Sequence, residues 1–183
     1  MVEAVKESLV LNKIVGSKVF NVTAQGDCII PDIKPDILNS INMTGNVCIY
    51  KKEIMDGKIR LDGNVNIYLM YLADSEDGRI RGFNGSIDFT EILDFPGATP
   101  NMMLDEKIAI KELECKVLNG RKVNLKAMLE ITANLSMNEE EEIVKEINNV
   151  DDIQTQVVTL KMNSLVRAEF HKSKCKRDAN NRQ

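Results

Sequence analysis

The chain has 183 residues with 24 Lys and Arg against 28 Asp and Glu, a formal charge of −4, and it is 43% hydrophobic and 28% charged. That describes one domain long enough to bury a core. No apolar run approaches the roughly 20 residues of a membrane-spanning helix, and the acidic body disfavours nucleic acid as a partner, since only the stretch 171–182 is basic.

Ile and Val together outnumber Ala and Leu, and period-two alternation recurs, so the expected fold is mainly β. A first strand is expected over 5–15 and a second over 19–30, ending where Pro31 and Pro35 remove ladder donors. Pro31-Asp32-Ile33-Lys34-Pro35-Asp36 reads as a loop. Asp56-Gly57 signals a hairpin between 45–55 and 58–72, the outgoing strand alternating through Ile59, Leu61, Val65, Ile67, Leu69 and Tyr71, with a bend or bulge expected at Gly63. A turn at Asp77-Gly78 leads into a strand over 79–95, in which Phe83, Ile87 and Phe89 share a parity. The stretch 95–100 carries two prolines and reads as a break.

The strand expected over 106–118 changes parity between Ile110 and Leu113, which predicts a bulge near Lys111 and Glu112. Asn119-Gly120 is expected to supply a tight hairpin turn of positive φ into 123–135, where Val123, Leu125, Ala127, Leu129, Ile131, Ala133 and Leu135 alternate with mostly polar neighbours. Residues 138–148 fit a short helix capped by Asn138 and a charged edge strand equally well. With a strand over 157–168, these elements make an antiparallel β-sandwich or partly closed barrel of about eight strands and at most one short helix. The expected organisation is a single domain over 1–168 followed by a basic polar tail over 169–183.

Leu9-Val10-Leu11-Asn12-Lys13-Ile14-Val15 is echoed by Leu160-Lys161-Met162-Asn163-Ser164-Leu165-Val166. The C-terminus thus reads as the opening strand of a second module. Leu9, Leu11, Ile14, Val15, Leu160, Met162, Leu165 and Val166 are candidate assembly residues, through which the last strand of one copy would lie in or beside the first-strand position of the next, head to tail. The acidic run Glu139, Glu140, Glu141 and Glu142 and the basic Lys172, Lys174, Lys176 and Arg177 are candidates for charge pairing between copies, each pair worth only ~0–1 kcal/mol where exposed.

The four cysteines form no C-x-x-C pair, the one histidine is His171, and phosphate-loop, dinucleotide-binding and nucleophile-elbow motifs are missing. No catalytic residue, metal or cofactor is expected, and the protein reads as non-enzymatic. Cys28 and Cys115 share parities with apolar neighbours and are expected to be core thiols. Cys48 lies with Thr44, Asn46 and Tyr50, opposite Val47 and Ile49, and is expected to face out; Cys175 sits among lysines that favour its thiolate. Both are candidates for crosslinks between copies.

Gly26-Asp27-Cys28-Ile29-Ile30-Pro31-Asp32-Ile33-Lys34-Pro35-Asp36-Ile37 resembles the signature loop of the SPOCS domain family of clostridial sporulation proteins. Asp56-Gly57-Lys58 with Tyr71-Leu72-Ala73, then Asp94-Phe95-Pro96-Gly97-Ala98, then Glu114-Cys115 through Arg121-Lys122 resemble its remaining blocks in order. The resemblance spans roughly 5–166. It implies a structural role in the layers around an endospore: a self-assembling building block of coat, exosporium or appendage, with itself and other coat proteins as partners. In the family's best-known architecture these domains precede a LysM module that docks on the coat's basement-layer ATPase. This sequence has no LysM module, which speaks against that partner. The resemblance carries over no binding residues, because the prolines and glycines of its blocks serve as turns. Without a basic start and apolar block at the N-terminus, no signal peptide is expected, and the protein would be made in the mother-cell cytoplasm and deposited on the spore surface. The alternatives are a non-polymerising adaptor in coat assembly and a carbohydrate- or peptidoglycan-binding module, the latter weakened by only 4% aromatic residues and no Trp.

Overall fold

The computed structural model describes residues 3–75 and 78–148. Six strands follow one another: β1 Glu3–Ile29, β2 Ile37–Met55, β3 Lys58–Ala73, β4 Ile80–Asp94, β5 Met103–Asn119 and β6 Lys122–Asn148. They form two antiparallel three-stranded sheets of order β1-β6-β5 and β2-β3-β4. The result is a sandwich rather than a closed barrel, and the strands described are six, not the expected eight. The strand expected over 157–168 and the tail 169–183 lie outside the described residues.

Two of the expected breaks are joined. The strands expected over 5–15 and 19–30 are one strand, because β6 supplies ladder partners on both sides of Gly16-Ser17, and Val15 is absorbed as a bulge between Ile14 and Gly16. Gly16 has its own reason to be there: a Cβ would lie 3.2 Å from the Phe95 ring. The stretch 138–148 is strand, not helix. Its residues pair with β1 from Asn12 back to Glu3, and this tertiary ladder overrides a local capping pattern.

The core lies between the sheets and follows the alternation expected from sequence. All seven inward residues of β6 from Val123 to Leu135 are at most 1% exposed. Across from them β3 buries Ile59, Leu61, Val65, Ile67, Leu69 and Tyr71, and β4 buries Phe83, Ile87, Phe89 and Leu93. The apolar residues divide into a larger cluster around Ile30, Tyr71 and Leu125 and a smaller one around Phe95, Leu93 and Leu135. At about 25 cal/mol per Å² of apolar surface, this continuous burial is the main stabilising term. The expected bulges are present: the β5–β6 register shifts between Ile110 and Glu112, and β2 shifts between Ile49 and Lys51, opposite Gly63.

The two long sides of the sandwich differ. Along β1 and β4 the inward residues Ala24, Cys28, Phe83 and Ile87 are buried. Along β2 and β5, Met43, Val47, Ile49, Ile108, Ile110 and Leu113 pack against the core only partly buried. An open groove there, between the bulges of the two edge strands, includes Ile41, Met43, Ile110 and Leu113 in its lining.

Candidate functional site

The sequence blocks that carry the family resemblance meet in space as two clasps at opposite ends of the sandwich. At one end the loop 30–36 folds onto the β5–β6 turn. Ile30 N–H donates to Arg121 C=O at 2.9 Å and Ile37 N–H to Gly120 C=O at 2.8 Å. Arg121 answers with its guanidinium, donating to Pro31 C=O at 3.2 Å and Lys34 C=O at 2.8 Å and pairing with the Asp36 carboxylate. A rigid multi-donor fork suits this task, satisfying loop carbonyls that no ladder reaches.

The same loop is fastened from the other sheet. The buried Tyr71 hydroxyl donates to Pro35 C=O at 3.0 Å, Asp74 N–H donates to Asp36 C=O at 2.8 Å, and Lys34 Nζ donates to Gly82 C=O at 2.6 Å. Gly120 does not supply a positive φ, as the sequence had led us to expect; the positive-φ glycines are Gly57, Gly78 and Gly97. Its lack of a side chain serves contact instead, since a Cβ would lie 2.6 Å from an Asp36 carboxylate oxygen. Asp77 lies outside the described residues.

At the other end the Asp56-Gly57 turn and the Phe95-Pro96-Gly97-Ala98 turn hold each other. Gly57 N–H donates to Ala98 C=O at 2.9 Å, and Phe95 N–H donates back to Gly57 C=O at 2.8 Å. Phe95 and Ala98 fill the smaller apolar cluster beneath. Each clasp fastens a turn of one sheet to a turn or loop beside it.

Beside the second clasp the sheet changes character. β5 begins its pairing at Met103, opposite Ser136, so beyond that point β1 and β6 continue as a two-stranded ribbon to Glu3 opposite Asn148. Among the described residues, the second edge of β6 has no neighbour from Met137 onward. Of the candidate assembly residues, Leu9 and Leu11 lie in this ribbon opposite Glu141 and Glu139, while Ile14, opposite Ser136, and the bulged Val15 lie at its root. Ile14 is 59% exposed and Val10 66% exposed. Leu160, Met162, Leu165 and Val166 lie outside the described residues.

The acidic run is partnered within the chain. Lys13 pairs with Glu139 and Lys6 with Glu142, each at 2.9 Å, Lys145 pairs with Glu7 at 3.1 Å, and Ser8 donates to Glu140. Asn12 and Asn138 side chains bond directly at 3.1 Å. The Glu139 carboxylate beside it holds the Lys13 ammonium above its ordinary pKa. Glu139 and Glu142 thus have partners within the chain; Lys172, Lys174, Lys176 and Arg177 lie outside the described residues. The sequence left 138–148 open between helix and strand, and the β1 lysines had no visible link to it.

The cysteines divide differently from expectation. Cys28 and Cys115 are free thiols, buried and half-buried, and burial pushes both up from the ordinary thiol pKa. Cys48 is on the outward parity yet only 4% exposed, and it is engaged rather than free. Its pairing opposite Asn64, whose Oδ1 is also buried, marks a covered spot on the outer face of β2-β3-β4. The expectation that Cys48 faces out is thereby corrected, and its sulfur is held in a disulfide. Cys175 lies outside the described residues.

No curated protein and no solved structure gives a match to the chain. A family model does: residues 36–118 match the one described as SipL, SPOCS domain. The match runs from the last residue of the signature loop through β2, β3, β4 and nearly all of β5, leaving β1 and β6 outside it. The segment 36–118 is thus similar to the SPOCS domain family, with the two clasps holding its turns and β1 and β6 completing its sandwich.

Proposed function

We propose that this protein is a non-enzymatic, self-assembling structural component of the endospore surface, in coat, exosporium or appendage. The SPOCS family match points to a sporulation-related role. What supports the finer reading is the two-stranded ribbon, whose β6 edge has no ladder partner among the described residues; such edges are the usual means by which one chain recruits another. Soluble proteins normally cover or shorten such edges, and a building block uses them. On this reading the protein is made in the mother-cell cytoplasm, is deposited on the spore surface, and has itself and other coat proteins as partners. An oxidising exterior met after assembly allows covalent locking through Cys175.

Negative-stain electron microscopy of the full chain beside a truncation ending at Asn149 tests the proposal. Fibres or sheets formed by the full chain alone support it, and a monodisperse full chain overturns it in favour of a coat-assembly adaptor. Non-reducing gels of assembled material test the locking, which fails if only monomer is seen after mild denaturation.

A further inference from the structure

We infer that the edge of β6 from Met137 to Val144, open among the described residues, is the acceptor for residues 157–164 of a second copy, bound antiparallel in the register that β1 uses on the opposite edge. This rests on the self-assembly reading above and specifies its contact. β1 shows what the edge accepts: Ser8, Val10 and Asn12 stand opposite Glu142, Glu140 and Asn138, while Leu9 and Leu11 stand opposite Glu141 and Glu139 on the other face. The segment 159–163 repeats this as Thr, Leu, Lys, Met and Asn. Set in the same register, Asn163 meets Asn138, Thr159 meets Glu142, and Leu160 and Met162 fall on the face of Met137 and Ile143.

The one departure from β1 improves the fit. Val10 faces Glu140, whereas the repeat carries Lys161 at the corresponding place. β1 brings Lys13 to Glu139 and Lys6 to Glu142, leaving the centre of the four-glutamate run without a cation from that side. A strand on the other edge with Lys161 opposite Glu140 supplies one on the face that carries Lys6 and Glu142, and directly opposed unlike charges favour one register over its neighbours. A slip by one residue reverses every side chain and sets Lys161 among Leu9, Leu11 and Met137.

Two chains test this, one with Glu140→Cys and one with Lys161→Cys, their native cysteines kept because Cys48 is disulfide-bonded. Mixed under mild oxidation, they are expected to give a disulfide-linked dimer whose bridged peptide joins 140 to 161, at least fivefold more than a Glu139→Cys chain gives with the same partner. Equal yield from position 139 overturns the register. Should a single chain bearing both substitutions close on itself while separate chains do not link, the acceptor serves its own C-terminal segment and the inference fails. Assemblies seen by microscopy without a 140–161 link overturn this contact and leave self-assembly standing, whereas a link without assemblies supports the contact and overturns the polymer. Loss of both overturns both.

Discussion

Gly63 sits in the middle of β3, opposite Ile49 on β2 and Phe89 on β4. A Cβ there would lie 2.6 Å from Cys48 C=O, 2.8 Å from Ile49 Cδ1 and 2.9 Å from Phe89 Cζ. The carbonyl belongs to a laddered backbone and cannot swing aside, so Gly63→Ala must displace β2 or force both side chains off their rotamers. Overpacking of this kind costs about 1–3 kcal/mol. Contact with an unyielding backbone carbonyl puts the cost at the upper end, about 2–3 kcal/mol, and replacing a strand glycine by alanine returns about 0.5–1 kcal/mol of backbone entropy, so net destabilisation is about 1–2.5 kcal/mol. For a domain of this size that lowers Tm by about 2–10 °C. Thermal unfolding followed by circular dichroism reads it, with Gly57 as the contrast. Gly57 has φ +72° and no atom within 4 Å of its absent Cβ. Gly57→Ala is destabilising for backbone reasons alone, and Gly57→Asn recovers most of the loss because Asn tolerates that conformation. Gly63→Asn recovers nothing. A Gly63→Ala protein with unchanged or raised Tm, or a Gly63→Asn that behaves like Gly57→Asn, refutes the steric account.

Three further outcomes follow from the same geometry. Arg121→Ala removes the donors that Pro31 and Lys34 carbonyls accept, so a loss of about 1–3 kcal/mol is expected, with faster cleavage of the loop by an Asp-directed endoproteinase before Asp32; Arg121→Lys restores little because an ammonium is not a fork. Asp62 accepts from Thr90 at 2.8 Å and from Arg60 at 3.2 Å, and these bonds hold its carboxyl below the ordinary range. The stability it contributes is present above the unfolded pKa of about 3.9 and is lost as pH falls through the lower folded value. Urea unfolding of Asp62→Asn should therefore show lower stability near neutrality and a flatter decline in the acid range. Cys28, with its thiol pushed up by burial, should be alkylated by iodoacetamide at pH 8 far more slowly in the folded chain than after unfolding; equal rates would contradict its placement in the core.

Period two made the body of this fold legible. Seven alternating residues from Val123 to Leu135 all proved core-facing, Asp56-Gly57 proved a two-residue hairpin, and the parity change after Ile110 proved a bulge. What failed has a common cause. Parity assigns a side chain to a face but does not say what covers that face, so Cys48 was placed outside and is covered. Local punctuation likewise does not report the partner strand. Gly16-Ser17 and Asn138 look like ends only until β6 and β1 are seen to pair across them, with Ser17 donating to Asn134 at 2.6 Å. Arg121 was quoted within a family block, but its role depends on a loop some 90 residues earlier, which no local pattern encodes.

β1 and β6 each run 27 residues without interruption, through the core and out to the ribbon tip. At about 3.3 Å per residue the ribbon from Glu3 to Ile14 is a lever of about 40 Å. Its root carries the Val15 bulge and is held where Gly16 packs against Phe95. Tension applied at the tip along the strand axis therefore reaches the hydrogen bonds of the whole sheet in shear, many at once. The same tension applied sideways, separating Glu3 from Asn148, breaks them one pair at a time. The fold thus has a strong axis and a weak one, and the direction of loading decides whether the molecule behaves as a tether or as a zipper.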